Sequence, residues 1–153
     1  MKETPTVIAV CVSPGGVPKT SVASADVTET GLAGDGHDHA KHSRPDRAVL
    51  VQDMELLEEL QREGFAVAPG TLGENLTVRS LRVQQMAVGT RLRFAQGPVL
   101  ELTEPRKPCF VLDQIHPELQ RAVTGRGGFL TRVIVPGRVF PGQTIQVEAP
   151  PES

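Results

Sequence analysis

The sequence predicts a β-rich α+β fold, a barrel of short strands that carries a few short helices. One reason is that 15 Gly and 13 Pro divide its 153 residues into short segments. A second reason is that pieces such as 91–94 and 145–148 alternate apolar and polar residues with period two. That alternation is typical of a strand with one face in water.

Strands are predicted wherever a short apolar or alternating run lies between turn residues. The predicted strands are 6–13, 21–27, 47–51, 75–78, 90–94, 98–103, 129–135 and 144–147. A long polar loop is expected between the second and third of them, over 29–46.

The clearest helix is predicted over 53–63. Its buried face is predicted from the spacing of Leu56, Leu57 and Leu60. We expect Asp53 to cap its first turn, Glu58 to pair with Arg62, and Gly64 to end it. These features indicate a helix that belongs to the scaffold.

A second, shorter helix is predicted over 117–123, with Pro117 at its first position. Its inward residues would be Leu119, Ala122 and Val123. No linker divides the chain, so we expect one domain with a core over about 6–148 and disordered ends at 1–5 and 149–153.

Composition excludes several classes of function. The net charge of −2, the absence of Trp and Tyr and the presence of only five Phe argue against nucleic-acid binding. No apolar run approaches the length of a membrane span, and residues 1–5 do not read as a signal peptide. Two cysteines cannot form a disulfide framework, so we expect a cytoplasmic protein with free thiols and no membrane partner.

Cys109 is the leading candidate for a reactive residue. It follows a predicted strand in the run 103–110, TEPRKPCF, whose two prolines predict a stiff loop. Arg106 and Lys107 favour the thiolate form electrostatically. Such a thiol suits a nucleophile, a sulfur carrier or a soft-metal ligand. The alternative is a cysteine that is buried as a small hydrophobic residue.

A glycine-rich segment over 31–42 brings together Asp35, His37, His39 and His42. Imidazole and carboxylate groups at this density are what a divalent metal site needs. The spacing matches no closed zinc pattern, however, and such residues also form side-chain-to-backbone turns without a ligand. Both interpretations stay open.

Two further segments are candidates for ligand contacts. The run 69–77 places Glu74 and Asn75 at a strand entry behind glycines, where the backbone can approach a ligand or simply form a tight turn. The stretch 119–147 contains four arginines, among them Arg126 and Arg132, and no acid. Within it, the flexible run 124–128 is suited to hold a phosphate or another anion.

Taken in order, these segments resemble the MOSC family, which takes its name from the C-terminal domain of molybdenum-cofactor sulfurase. The resemblance spans about 31–147 and depends on an ordered combination of short motifs. They are Gly34-Asp35 with His37, Arg47-Ala48-Val49, Gly70 with Gly73-Glu74-Asn75-Leu76-Thr77-Val78, Val88-Gly89, Arg106 with Pro108-Cys109, Gly127-Gly128, and Pro141-Gly142. In size the chain is similar to the small stand-alone bacterial members. Some branches carry arginine after the Gly-Asp pair, where this chain has Gly36.

The resemblance implies a mixed β-barrel of the MOSC type and a molybdenum cofactor of the molybdopterin type. It implies that Cys109 either ligates molybdenum or carries sulfur as a persulfide. The implied cofactor contacts are Arg106, Lys107, Arg126 and Arg132 for the phosphate, with Glu74, Asn75, Asp35 and His37 as further contacts. Pyridoxal phosphate binding is implied only at the level of the family.

Three functions follow as expectations. As a molybdenum ligand, Cys109 would serve in oxygen-atom transfer, for example the reduction of N-hydroxylated compounds, with an electron-transfer partner. As a persulfide carrier, it would need a cysteine desulfurase partner, because the chain lacks the sulfurases' aminotransferase-like domain. The third is a non-catalytic metal-binding or metal-sensing module that uses Asp35, His37, His39 and His42.

Overall fold

A computed structural model describes residues 3–14, 18–35, 48–108 and 110–150. Within these ranges the protein is β-rich with two short α-helices, as predicted. The strands are β1 (Thr6–Val12), β2 (Thr20–Val22), β3 (Ala25–Thr28), β4 (Gly31–Leu32), β5 (Val49–Asp53), β6 (Leu76–Arg79), β7 (Arg91–Phe94), β8 (Val99–Pro105), β9 (Phe129–Val135), β10 (Gly137–Val139) and β11 (Ile145–Glu148). The helices are α1 (Met54–Arg62) and α2 (Leu119–Val123), with 3₁₀ turns at Val83–Gln85 and Phe110–Gln114.

The strands form two sheets, of which the larger has mixed strand directions. The larger sheet has the order β11-β7-β8-β9-β5-β6-β1-β2, and the smaller has the order β10-β3-β4. Strands β5 and β6 run parallel, whereas the other described pairs are antiparallel. The predicted mixture of strand directions is therefore confirmed.

The large sheet curls until its distant parts meet. Thr6 of β1 forms an isolated bridge with Thr144, the residue before β11. The Ile145 amide also donates to the Pro5 carbonyl, at 2.9 Å. Among the described strands no continuous ladder joins these two parts of the sheet. The curled mixed sheet is thus established, while the predicted closed barrel is not confirmed.

Two apolar cores hold the fold together. The larger joins residues of both sheets, for example Val51 and Leu76 of the large sheet with Val27 and Val139 of the small one. The smaller lies between α1, α2 and the 3₁₀ turn Phe110–Gln114, around Leu57 and Leu119 among others. All five residues of β5 are buried, as expected for a strand that is covered on both faces.

Helix α1 confirms the predicted leucine face but not the predicted polar contacts. Leu56, Leu57 and Leu60 are buried, and Gly64 ends the helix region at φ +102°. The Asp53 side chain does not cap the helix, because its carboxylate accepts the backbone N–H groups of Arg82 and Val83 instead. None of the helices in the described ranges is long and apolar enough to cross a membrane.

The predicted Glu58–Arg62 attraction is present as a charge effect that, after the hydrogen bond from Arg79, lowers the pKa of Glu58, but the hydrogen bonds of Glu58 are tertiary contacts. Both Glu58 oxygens accept hydrogen bonds from the Arg79 guanidinium, at 3.2 and 3.1 Å. A two-bond fork to a neighbouring strand is a better-defined geometry than a contact along the helix surface. Arg79 lies at the end of β6, so this pair fastens α1 to the sheet.

Other element predictions need correction. The single strand predicted over 21–27 is two strands, β2 and β3, which belong to different sheets. The predicted loop 29–46 contains β4, while its remainder from 36 on lies outside the described residues. Helix α2 starts at Leu119 rather than Pro117, because Glu118 adopts a left-handed φ of 75° that a helix cannot continue through. Strand β10 was not predicted, since three residues carry too little pattern.

Candidate functional site

Two of the sequence motifs, 40 residues apart, meet at Asp35 and Asn75. Asp35 Oδ2 accepts a hydrogen bond from Asn75 Nδ2 at 2.9 Å. Asp35 Oδ1 accepts from the Ser13 amide at 3.0 Å and forms an ion pair with Lys19 Nζ at 2.6 Å. Only 4% of the Asp35 side chain is exposed. Its carboxylate is therefore surrounded by three donors of the protein itself.

The Asn75 side chain joins three separate segments. Its Oδ1 accepts the backbone N–H of Leu50 in β5 at 3.0 Å. Its Nδ2 donates both to Asp35 and to the Cys11 carbonyl in β1, the latter at 3.3 Å. Every polar atom of this amide is thus used inside the fold. Asn75 therefore cross-links three segments at the entry to β6. The cofactor contact expected for Asn75 stays a prediction.

Glu74 precedes this cross-link and is completely buried. Its Oε2 accepts a hydrogen bond from Thr77 Oγ1 at 2.9 Å. Burial raises the pKa of the Glu74 carboxyl, while hydrogen bonds and the positive charge of Arg106 act in the opposite direction. Glu74 therefore keeps its proton to a higher pH than an exposed glutamate does, beside the segment that leads to Cys109.

Cys11 is also buried, and its thiol feels the charges of Glu74 and Lys19. Burial, followed by the charge of Glu74, raises the pKa of Cys11 to about 11, although Lys19 lowers it. Gly70 is close enough that a Cβ at this position would lie 3.1 Å from Cys11 Sγ. A neutral, enclosed thiol is unreactive, so Cys11 fits a structural role rather than that of a nucleophile.

The stability of the protein should depend on pH through Glu74. Because its pKa is higher in the folded than in the unfolded chain, the folded state binds more protons just above pH 4.5, the ordinary value. The stabilisation is fully present below that pH and is lost as the pH rises towards the folded pKa. Glu74→Gln, which can still accept from Thr77, should remove this loss. The measurement is the free energy of unfolding in urea at pH values between about 4 and 8.

Glu58→Gln is the control, because the stabilisation by Glu58 changes with pH in the opposite direction to that by Glu74. The hydrogen bond from Arg79 lowers the pKa of Glu58, so its stabilisation is present at neutral pH and lost on acidification. If the curves of wild type and Glu74→Gln run parallel over the whole pH range, Glu74 is not held protonated by burial.

The segment 105–108, which leads to Cys109, is fixed to neighbouring elements. Pro105 ends β8 and pairs with Phe129 at the start of β9. The Arg106 amide donates to the Gly128 carbonyl at 2.9 Å, and the Pro108 carbonyl accepts from Gln120 Nε2 at 3.3 Å. The segment follows a strand end, as predicted, and its backbone is held by the Gly128 carbonyl on one side and the Gln120 side chain on the other. Lys107, which follows Arg106, is exposed to solvent.

The two other predicted phosphate contacts lie in different surroundings. The Arg126 guanidinium forms two hydrogen bonds to Glu63, at 2.8 and 2.7 Å, and its Nε donates to the Ala122 carbonyl. Arg132 lies on β9 and pairs with Glu101 of β8. Each arginine thus binds a different carboxylate of the protein: Arg126 binds Glu63, and Arg132 binds Glu101.

Four of the predicted site residues, Cys109, His37, His39 and His42, lie outside the described residues. Within the described ranges, no three His, Cys, Asp or Glu side chains are arranged as a metal site. Asp35 is the remaining member of the predicted metal loop. Its carboxylate is bound by Ser13, Lys19 and Asn75. The metal-module interpretation stays a prediction.

The family follows from comparison with known proteins. The family model described as "MOSC domain" matches residues 38–146, well over half of the chain. The chain belongs to the MOSC domain family. A protein named "Reductase" from Gibberella moniliformis (strain M3125 / FGSC 7600) is 29% identical over 126 residues, which cover 77% of this chain and 22% of the fungal protein. The uncharacterized protein YflK from Bacillus subtilis (strain 168) is 33% identical over 124 residues, 74% of this chain and 54% of YflK.

This MOSC domain therefore spans about half of the length of YflK and less than a quarter of the fungal relative. Among solved structures, the YuaD protein from Bacillus subtilis is similar with a TM-score of 0.83 and 20% identity, covering 96% of this chain and 97% of YuaD. YiiM from Escherichia coli has a TM-score of 0.75 and 25% identity, covering 99% of this chain and 72% of YiiM. These similarities show that the MOSC fold extends over nearly the whole chain.

Two residues of structural interest in the MOSC domain lie outside the sequence motifs described above. Lys19 is the ion-pair partner of Asp35, and no pattern around it indicated this. Gln52 is 2% exposed in the middle of β5. A polar residue inside an otherwise apolar run is a recognisable signal, because a buried amide needs partners.

Proposed function

We propose that this MOSC protein binds a molybdenum cofactor of the molybdopterin type and that Cys109 is the thiolate ligand of molybdenum. The observation that carries the proposal is the fixed, cationic segment 105–108 immediately before Cys109. The Gly128 carbonyl and the Gln120 side chain hold the backbone of this segment, so its two cations lie on a fixed backbone. A preorganised binding segment loses less conformational entropy when a cofactor binds.

The residues around this segment fit the chemical groups of such a cofactor. A thiolate is a soft ligand, which suits molybdenum, and Arg106 and Lys107 supply two successive cations for a phosphate. We assign the phosphate first to Arg106 and Lys107, because these two cations directly precede Cys109 in the sequence, whereas Arg126 and Arg132 pair with Glu63 and Glu101. The assignment rests on this proximity in the sequence. Burial raises the pKa of Glu74, so this carboxyl competes less for the charge of Arg106 than an exposed glutamate would.

When bound, such a cofactor supplies two-electron oxygen-atom transfer. The name "Reductase" of the fungal relative supports a reductive direction, and the reduction of N-hydroxylated compounds is the reaction we propose. In this proposal, Arg106 and Lys107 orient the cofactor, and Glu74 holds a proton close to Arg106 in a region from which water is excluded. An electron-transfer protein would supply the electrons.

The same segment also supports a second role for Cys109, as a persulfide carrier. Neighbouring cations favour a thiolate, which attacks the terminal sulfur of a cysteine desulfurase persulfide. The new S–S bond forms on Cys109, and the thiolate of the desulfurase leaves. The sulfur is then available to a metal centre or another acceptor.

Replacement of Cys109 distinguishes these roles. The protein should be expressed with a molybdenum source as wild type, as Cys109→Ser, and as Cys11→Ala, which controls for loss of the other cysteine. We expect elemental analysis to find molybdenum in wild type and Cys11→Ala and little in Cys109→Ser. Equal molybdenum in all three proteins would contradict the ligand role. A single added sulfur on Cys109 after incubation with a cysteine desulfurase, found by mass spectrometry, would favour the carrier role instead.

A further inference from the structure

The loop 125–128, between α2 and β9, packs directly against Arg106. The Arg106 amide donates to the Gly128 carbonyl at 2.9 Å, so the backbones of the two segments are joined. Gly127 lies against the side chain of Arg106, because a Cβ at this position would be 3.2 Å from Arg106 Cδ and 3.5 Å from the Arg106 carbonyl oxygen. The lack of a side chain at Gly127 therefore leaves the space that the aliphatic part of Arg106 occupies.

The loop is itself fixed on its opposite side. The Gly128 amide donates to Gln84 Oε1 at 2.9 Å, and Gln52 Nε2 donates to the Arg126 carbonyl at 3.3 Å. Gly128 has a φ of +92°, and a Cβ there would overlap the backbone of β5. The loop is thus supported by β5 and by the 3₁₀ turn that contains Gln84, and it lies between that support and Arg106.

The Arg106 side chain is confined along its whole length. Its Nη1 is enclosed by the protein, and its charge acts on the fully buried carboxyl of Glu74. A Cβ at position 127 would meet not only Arg106 Cδ but also Val123 Cγ1, at 3.0 Å, and both distances are shorter than normal carbon contacts. Because Val123 is completely buried in the smaller core, the half-buried Arg106 side chain would have to yield.

We propose that Gly127 and Gln84 are positioning residues, which act through Arg106 on the binding of the phosphate group of the cofactor. Gly127 leaves room for the aliphatic part of Arg106, and Gln84 holds the loop against it. Neither residue has to touch the phosphate. A charged side chain binds an anion best when the residues around it fix its conformation, and the loop fixes that of Arg106.

This inference rests on the function proposed above in one respect, the assignment of a phosphate to Arg106. It requires neither molybdenum nor a particular role of Cys109. It extends the anion site to a residue that is 44 positions from Gly128 in the sequence, because Gln84 reaches the loop only through the tertiary structure.

The test uses the ¹⁵N-labelled Cys109→Ser protein, so its outcome does not depend on molybdenum. One readout is the side-chain Nε–H signal of Arg106 in NMR spectra, identified by its absence in Arg106→Ala. The other is the dissociation constant of inorganic phosphate, measured by titration. The φ of Gly127 lies outside the left-handed region, so Gly127→Ala adds no backbone strain. We expect this variant to shift the Arg106 signal and to bind phosphate about tenfold or more weakly, as for a lost charged hydrogen bond. Gln84→Met, which removes the acceptor for the Gly128 amide, should change both readouts in the same direction.

Gly142→Ala controls for a general loss of stability. Gly142 has a φ of +92°, and a Cβ there would meet no atom of the described residues within 4 Å, so alanine strains the backbone without pressing on Arg106. Both readouts should stay unchanged in this control. An unchanged Arg106 signal or an unchanged phosphate affinity in Gly127→Ala, or equal changes in Gly142→Ala, would overturn the proposal. If Arg106→Ala itself binds phosphate as tightly as the starting protein, the assignment of the phosphate to Arg106 is wrong as well.

Discussion

Asn75→Ala should lower the free energy of unfolding by about 3 to 5 kcal/mol. The substitution removes the acceptor for the Leu50 amide and the donor to Asp35 and Cys11, all in a buried region. Each buried polar group left without a partner costs roughly 1 to 3 kcal/mol. Because many domains have only about 5 to 15 kcal/mol of stability, the variant should unfold at much lower urea concentration. The measurement is urea unfolding followed by circular dichroism.

Gln61→Ala is the matched control for this prediction. Gln61 lies on α1 and donates a single side-chain hydrogen bond, from Nε2 to the Val67 carbonyl at 2.8 Å. Its side chain is exposed, so water can replace the lost partner and the expected cost is about 1 kcal/mol or less. Similar losses in both variants would mean that Asn75 does not cross-link the fold.

Gly70→Ala should cost about 2 to 5 kcal/mol of stability. Gly70 has a φ of +89°, which disfavours any residue with a Cβ. A Cβ here would also overlap the Lys19 carbonyl oxygen and press on Cys11 Sγ. The Lys19 amide donates to the Gly70 carbonyl, and the Lys19 side chain binds Asp35. Displacement of Lys19 would therefore weaken the contact between Asp35 and its surroundings as well.

Gly34→Ala separates the backbone cost from the steric one. Gly34 has the same φ of +89°, but a Cβ there would meet no atom of the described residues within 4 Å. Its cost should be limited to the conformational part, roughly 1 to 2 kcal/mol. Thermal unfolding of both variants checks the difference. An equal loss at the two glycines would show that the close packing around Gly70 contributes nothing.

The elements that were predictable are those whose pattern is long and local. Strand β9 has the predicted bounds, and α1 was found from three leucines on one face. Strands β4 and β10 were missed because they are two and three residues long and are stabilised by pairing with β3. The hydrogen bonds of Asp53 and Glu58 were not predicted, because their donors belong to distant segments of the chain.

For the candidate site, the sequence by itself determined the family motifs, the cations before Cys109 and the unusual Glu74-Asn75 pair at a strand entry. These are properties of residue type and short spacing, which neighbours in the chain define. Only the tertiary structure decided that Asp35 and Asn75 bind each other, that Glu74 is buried beside the Arg106 charge, and that Gly127 packs against Arg106. Burial and hydrogen-bond partners depend on which distant segments the curled sheet brings together, and that information is not present in any local window of the chain.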